Sequence, residues 1–251
     1  MITRYEDMIF EIAEFLTNKE KIMFSATCIY MNSLKCQFIY SNKIHVYRIT
    51  QLPYFNNFQC VKISQKGDIY PESAMCIHHE VRKPGSDRRD LRIPNNVTHL
   101  TFYMHINPII KNYIPPTVTH LTLDKFFNNS IRDCIPPFIT HLTFGKAFNK
   151  SVKNRIPASV THLIFGDYFN HQVDNIPPSV THLIFGESFN QSINNLPDSI
   201  THLAFGRYFS KTINKIPSSV IEIKLNEEYA KNITEDVVSR VNIIKISNID
   251  D

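Results

Sequence analysis

Hydrophobic and polar residues alternate in a short segment that recurs along much of the chain. Residues 156–170 read IPASVTHLIFGDYFN, and residues 176–190 read IPPSVTHLIFGESFN. In both copies the residues VTHLIF alternate in polarity, include β-branched side chains, and lie between a proline and a glycine. This pattern predicts a β-strand of about six residues in each copy.

The segment recurs at a nearly constant interval. Its Thr-His-Leu triplet returns after 21, 21, 21, 20 and 20 residues. The histidines of these triplets are His99, His120, His141, His162, His182 and His202. A seventh copy is expected at residues 220–225, where Glu222 replaces the histidine, and an eighth strand at residues 241–246. Such a period predicts a solenoid in which each coil contributes one strand and consecutive strands are parallel.

Two further positions recur in each coil and are expected to shape its turns. The strand is followed by Asn226 in the seventh copy and by a glycine in four others, namely Gly145, Gly166, Gly186 and Gly206. Since glycine, and next asparagine, tolerates positive φ, we expect a left-handed backbone at this position. An amide also recurs, at Asn128, Asn149, Asn170 and Asn190. We interpret these asparagines as an inward ladder that satisfies backbone groups of the turn.

The histidines are expected to form a column on the open face of the sheet. If Leu163 points to the core, alternation turns His162 to the opposite face, and the rings stack at the strand spacing of about 4.8 Å. A flat row of imidazoles does not converge on a tetrahedral zinc ion, and no nucleophile or carboxylate accompanies each histidine. The pattern therefore favours a structural column over a partner-binding or pH-sensitive surface, and over a metal site. It predicts neither an enzyme nor a bound cofactor.

The complete repeat unit points to a known family. The unit Ile-Pro-x-Ser-Val-Thr-His-Leu-x-Phe-Gly-x-x-Phe-Asn resembles the FNIP repeat of amoebae and giant viruses, a relative in style of the leucine-rich repeat, over about residues 93–236. The resemblance implies a leucine-rich-repeat-like solenoid that binds proteins. We expect it to occupy residues 93–251, with a cap at its carboxyl-terminal end.

Residues 1–40 contain no repeat and follow a helical period instead. Apolar residues recur at helical spacing from Ile9 and Ile12 to Leu16, which predicts two or three short helices. Thr17 and Glu20 have the spacing of a capping box at the start of the second helix.

This amino-terminal segment resembles an F-box. The resemblance rests on EDMIFEIAEFLTNKEKIMFSATCIYMNSLK, with Arg4 and Tyr5 standing where many F-boxes have Leu-Pro. It implies that the helices bind a Skp-family adaptor, with Ile9, Ile12 and Leu16 as candidate contacts. The alternative is a helical cap that covers the first coil of the solenoid.

Residues 41–92 form a linker with weaker signals. The segment FQCVKIS, residues 58–64, has the pattern of a strand, and residues 84–90 are polar. We expect one or two degenerate coils and a polar loop here.

Charge and composition exclude several classes of partner. The net charge of +4 comes from 27 basic and 23 acidic residues scattered along the chain, which does not predict binding to nucleic acid. No apolar run reaches the roughly 18 residues that span a membrane, and the first residues lack the pattern of a signal peptide. The expected location is intracellular, in the host cytoplasm, where the five cysteines would be reduced.

The two resemblances together suggest a function. The leading hypothesis is a subunit of a cullin-type ubiquitin ligase that recruits the substrate, with the F-box on a Skp-family adaptor and the solenoid on an unknown target. The alternative is a repeat scaffold for protein interactions unrelated to ubiquitin. Target contacts are expected where residues vary on the constant frame, at Lys146, Asp167, Tyr168, Glu187, Arg207 and Tyr208. These positions are equally consistent with a solvated edge.

Overall fold

A computed structural model describes residues 2–27, 32, 34–64, 68–81, 93–103 and 110–247 of the chain. For residues 2–7 and 110 it describes the backbone alone. The polar loop expected at residues 84–90 therefore lies outside the described residues.

The described chain begins with two α-helices, α1 (Ile2–Glu14) and α2 (Asn18–Ser25), followed by a short 3-10 helix at Leu34–Cys36. The predicted capping box at the start of α2 is confirmed. The Glu20 backbone N–H donates to the Thr17 hydroxyl over 3.3 Å, and the Thr17 N–H donates to the Glu20 carboxylate over 2.8 Å. These bonds satisfy two of the N–H groups that a helix start leaves without partners.

Within the described part of the chain, eleven strands form one sheet in chain order, and every described pairing is parallel. The strands are β1 (Ile44–His45), β2 (Cys60–Ile63), β3 (Cys76–Val81), β4 (His99–Phe102), β5 (His120–Leu123), β6 (His141–Thr143), β7 (His162–Ile164), β8 (His182–Ile184), β9 (His202–Phe205), β10 (Glu222–Asn226) and β11 (Asn242–Ile246). A third helix, α3 (Glu235–Arg240), lies between the last two strands. The predicted solenoid with one parallel strand per coil is confirmed. The described residues between 41 and 92 contain three strands, where we expected one or two coils.

The chain divides into two compact units. The first comprises residues 1–80 and 96–99, and the second comprises residues 81–95 and 100–251. The boundaries that the sequence pattern suggested, after residues 40 and 92, mark changes of pattern and stay predictions of domain organisation.

The core of the second unit is built from stacked columns of identical side chains. In strands β5 to β8 one face is buried: Leu163 is fully buried, whereas His162 and Ile164 on either side are half-buried. The same registered position holds Leu142, Leu163, Leu183 and Leu203. Rings of Phe144, Phe165, Phe185 and Phe205 stack behind them at 5.4 to 5.7 Å. Because every coil repeats these residues in register, burial is shared between neighbours and no coil encloses a core alone.

The glycines after the strands serve close packing, and the expectation of positive φ there was wrong. None of them lies in the left-handed region. A Cβ added to Gly206 would lie 2.5 Å from the carbonyl oxygen of Gly186 in the preceding coil. Asn226 likewise has no positive φ; its buried amide donates to the Ser247 carbonyl over 2.9 Å and accepts from the Glu228 N–H over 3.0 Å.

The asparagine ladder exists, but the side chains point outward. The Asn128 side-chain oxygen accepts the Asn149 N–H over 2.9 Å, and the Asn149 oxygen accepts the Asn170 N–H over 3.1 Å. The same bond joins Asn170 to Asn190 over 3.0 Å. The ladder satisfies turn N–H groups as predicted, while Asn128, Asn149 and Asn170 are exposed.

Candidate protein-interaction surfaces

The histidine column consists of stacked rings. In the second unit, His120, His141, His162, His182 and His202 have successive ring centroids 3.9, 4.1, 4.1 and 4.2 Å apart. This is closer than the strand spacing of about 4.8 Å. His78, which sequence reasoning missed, lies 4.3 Å from His99 in the first unit. The strand that carries His78 lacks the Thr-His-Leu triplet. Only the alternation of its residues could have predicted that His78 belongs to the column.

A threonine fixes each ring. The Nδ1 of His162 lies 2.9 Å from the hydroxyl of Thr161, and the same pair recurs in the described coils from His99 to His202. The Thr161 hydroxyl also lies 3.2 Å from the carbonyl oxygen of Thr140 in the preceding coil. The ring orientation is thus set by the backbone ladder.

Three central histidines of the column resist protonation. Burial lowers the pKa of His141, His162 and His182 below the ordinary value of 6.5, and neighbouring imidazoles lower it further. Both causes act against the charged form, because charge is poorly solvated there and like charges repel. Among the described residues, no group of three or more His, Cys, Asp or Glu side chains could hold a metal ion.

A second surface follows the turns after the strands. We call Lys146, Asp167, Tyr168, Glu187, Arg207 and Tyr208 the turn edge. Tyr168 and Tyr208 are 54% and 63% exposed. Their backbone N–H groups donate over 3.0 Å to the carbonyls of Lys146 and Glu187 in the preceding coils. The two tyrosines are therefore presented to solvent from a hydrogen-bonded frame.

Charges on the turn edge are paired between coils. Lys146 lies 2.8 Å from the carboxylate of Asp167, and Arg207 binds Glu228 through two bonds of 2.7 and 2.9 Å. The Arg207 backbone N–H also donates to Glu187 over 3.3 Å. Such exposed pairs contribute little to stability, because water and salt screen the two charges.

Sequence reasoning missed one member of this surface, Phe126, which is 68% exposed. It occupies the place of Tyr168 two coils earlier, so the repeat register contained the signal. Smaller residues, Ala147 and Ser188, occupy that place in the coils between the exposed aromatic residues.

A third surface lies on the amino-terminal helices. Ile12 and Phe15 of the α1 region are 48% and 90% exposed, and Met8 is exposed as well. Met8 and Ile12 lie one turn apart on α1, and Phe15 follows directly after the helix, so that the spacing of four and then three residues is that of one helix face. Of the three candidate adaptor contacts, Ile12 lies on this face, whereas Ile9 and Leu16 are half-buried. Met8 and Phe15 were missed, although their spacing from Ile12 was readable from the sequence. We call Met8, Ile12 and Phe15 the apolar stripe.

The helices are anchored within the first unit. The Asn18 side chain donates to the Asn42 carbonyl over 2.9 Å, and the Lys21 ammonium donates to the Ile39 carbonyl over 2.6 Å. The Phe10 ring meets Phe38 edge-on at 5.7 Å. Asn18 and Lys21 are buried where they make these bonds, whereas the apolar stripe remains exposed. Of the helices described, none combines the length and apolar character that crossing a membrane requires.

Comparison with known proteins identifies the repeat. The FNIP Repeat family model matches residues 90–126, 127–166, 148–188, 169–208 and 189–228, which together span more than half of the chain. No curated protein sequence matches significantly. Among solved structures, the chain is similar to CroV588, described as a novel circular LRR protein structure, with 27% identity and a TM-score of 0.60. The match covers 80% of this chain and 32% of that protein, so the chain spans about a third of its length. The chain therefore belongs to the FNIP repeat family, whose repeats form a leucine-rich-repeat-like solenoid here.

Proposed function

We propose that this protein recruits a target protein to a cullin-type ubiquitin ligase. In this role, helices α1 and α2 bind a Skp-family adaptor and the turn edge binds the target. The observation that carries the adaptor role is the apolar stripe of Met8, Ile12 and Phe15, which is exposed to solvent. Apolar residues at a spacing of four and then three are the pattern by which a helix enters a hydrophobic groove.

Two further features support the adaptor role. The amino-terminal segment resembles an F-box, and the hydrogen bonds from Asn18 and Lys21 hold α2 against residues 39–42. Because these anchors lie within the first unit, the apolar stripe is free to meet a partner without refolding. The FNIP match lies within residues 90–228 and does not include these helices.

The target role rests on the turn edge. Repeat solenoids bind proteins through side chains that vary on a constant frame. Exposed tyrosines are favoured at the centres of protein interfaces, since they bury a large area at a low cost in side-chain entropy. Tyr168 and Tyr208 have this exposure, and the charged residues beside them can contribute specificity.

A second candidate function is a scaffold unrelated to ubiquitin. It is favoured by the packing of α2 against residues 39–42, since this is also how a helical cap would protect the first coils. In that case the turn edge still binds a protein, but the apolar stripe has no adaptor.

Co-purification with a Skp-family adaptor separates the two candidates. The full chain is co-expressed with the adaptor as wild type, as Ile12→Glu with Phe15→Glu, and as a matched control, Ile221→Glu with Val238→Glu, which alters exposed apolar residues elsewhere. We expect the adaptor to co-purify with the wild type and the control but not with the stripe variant. If it fails to bind the wild type, or still binds the stripe variant, the ubiquitin-ligase role is wrong and the scaffold role replaces it.

A further inference from the structure

Coils of 21 and 20 residues differ at one turn of the second unit. In a long coil, the buried residues Ile131 and Ile135 are separated by three residues. In a short coil, the corresponding residues Val173 and Ile176 are separated by two. Strands β8 and β9 follow short coils, and they pair in the same register as β6 and β7, which follow long coils. The additional residue is therefore not required for the strands to stack.

Two of the three longer turns have an unusual backbone. Their middle residues, Asp133 and Asn154, each have a φ of 56°, and they are the only non-glycine residues with positive φ among those described. Asparagine and aspartate tolerate this left-handed conformation better than other residues with a side chain. In both turns the preceding residue, Arg132 or Lys153, lies within a turn that is closed by a backbone hydrogen bond of 3.0 Å.

The turn of each long coil begins with a positively charged residue. The first residue of this turn is Lys111, Arg132 or Lys153 in the long coils. In the short coils the first residue of the turn is Asp174, Asn194 or Asn214. At this first position of the turn, the positive charge therefore coincides with the additional residue, whereas the shorter turns carry one cation, Lys215, at their second position.

These three cations and Arg155 line one cleft. Lys111, Arg132, Lys153 and Arg155 surround a cavity of about 580 Å³, and among the described residues that line it Asp133 carries the only carboxylate. Arg155 is held in place by the Ser130 hydroxyl, at 3.0 Å, and the Ser151 carbonyl, at 3.2 Å.

Little within the described chain neutralises this charge. Asp133 pairs with its own neighbour Arg132 at 3.7 Å, and both side chains are largely exposed. Lys111 and Lys153 have no carboxylate within 4.0 Å among the residues described. Neighbouring like charges repel, and an anion in the cleft would relieve that repulsion.

We propose that this cleft binds an acidic segment of a partner protein through its carboxylates. Arg155 is preorganised for such contacts, and guanidinium groups bind carboxylates with two parallel bonds. The site is separate from the turn edge and does not depend on the adaptor role, so it would serve a recruiting subunit and a scaffold equally.

The test measures binding of a fluorescein-labelled hexaglutamate peptide to the full chain by fluorescence anisotropy. The cleft variant is Lys111→Gln, Arg132→Gln and Lys153→Gln. The control is Lys211→Gln, Lys215→Gln and Lys231→Gln, which removes the same charge from exposed positions on later coils. Circular dichroism of both variants checks that the strands remain.

We expect the cleft variant to bind hexaglutamate roughly tenfold more weakly than the wild type, and the control less than about threefold more weakly. Added salt should weaken the wild-type complex, because the contacts are exposed charges. Equal weakening in the two variants, equal binding of a hexaglutamine peptide, or no binding of hexaglutamate at low ionic strength would each overturn the proposal.

Discussion

At the scale of single residues, neighbours in one strand have opposite environments. Leu163 is fully buried between the equivalent leucines of two coils, whereas Ile164 lies on the open face and is half-buried. A truncation at the first position leaves a cavity that the stacked neighbours cannot easily fill. The same truncation at the second position removes atoms that already meet solvent.

We therefore expect Leu163→Ala to lower the free energy of unfolding by about 2 to 5 kcal/mol. Ile164→Ala should lower it clearly less, since much of that side chain is already exposed. Urea unfolding followed by circular dichroism measures both losses. Equal losses would mean that the open face of the sheet is covered as completely as its core.

The glycines mark the limit of what single residues reveal in a sequence. Alternation in VTHLIF was sufficient to assign Leu163 to the core, because side-chain direction in a strand depends only on neighbouring positions. The reason for Gly206 was not readable in this way. It depends on the distance to Gly186 in another coil, which local sequence does not encode. The positions of Phe15 and Phe126, by contrast, were readable from helical spacing and from the repeat register.

At the scale of elements, the histidine column links strand stacking to pH. The folded state holds the pKa of His141, His162 and His182 below 6.5, whereas the unfolded chain has ordinary values. As pH falls through 6.5, the unfolded state takes up protons first and becomes favoured. Glu222 lies in register with His202 and is the acidic group that opposes the effect at His182.

The free energy of unfolding should therefore decrease as pH is lowered from about 7.5 to about 5.5. The variant His162→Gln with His182→Gln should show a shallower decrease, because it removes two of the depressed groups. Urea midpoints at several pH values measure the slopes. Identical slopes in wild type and variant would show that the column does not control acid sensitivity.

Strand β11, the last strand of the described sheet, carries an exposed charge in register with a column of core residues. Lys245 pairs in register with the buried Leu225, but its ammonium turns to the Tyr229 carbonyl at 2.8 Å and lies over that ring at 5.0 Å. Charged residues at inward positions of edge strands discourage the pairing of further strands. Lys245 thus interrupts the apolar column of the solenoid.

Lys245→Leu should continue that column to the sheet edge and promote association of the protein with itself. Light scattering coupled to size-exclusion chromatography would show a mass above that of the wild type. The matched control, Lys231→Leu, places the same side chain at an exposed position outside the sheet and should leave the mass unchanged. A monomeric Lys245→Leu variant would show that other features protect this edge.

At the scale of the whole molecule, the sequence predicted the repeats of the second unit better than the first unit. Strands β6 to β9 repeat one motif, so each copy supports the assignment of the others. Strand β1 has two residues, Ile44 and His45, which is too short for an alternating pattern to be recognised. The three candidate surfaces depend on which residues of different coils or helical turns lie side by side. Composition alone does not carry this information.

The repeat register makes its own prediction for the second unit. Deleting residues 157–176 removes β7, and the new junction joins Ile156 to Pro177, which reproduces the existing Ile-Pro sequence. Strand β6 would then meet β8 with His141 opposite His182, because both already pair with His162. We expect a folded, shorter and somewhat less stable solenoid, since its stability is a sum over coils and their interfaces. Circular dichroism and thermal unfolding measure strand content and stability.

The control deletes only residues 157–166, which breaks the register and should abolish cooperative unfolding. Aggregation of the full-coil deletion, or equal behaviour of the two deletions, would contradict the view that one coil is the structural unit.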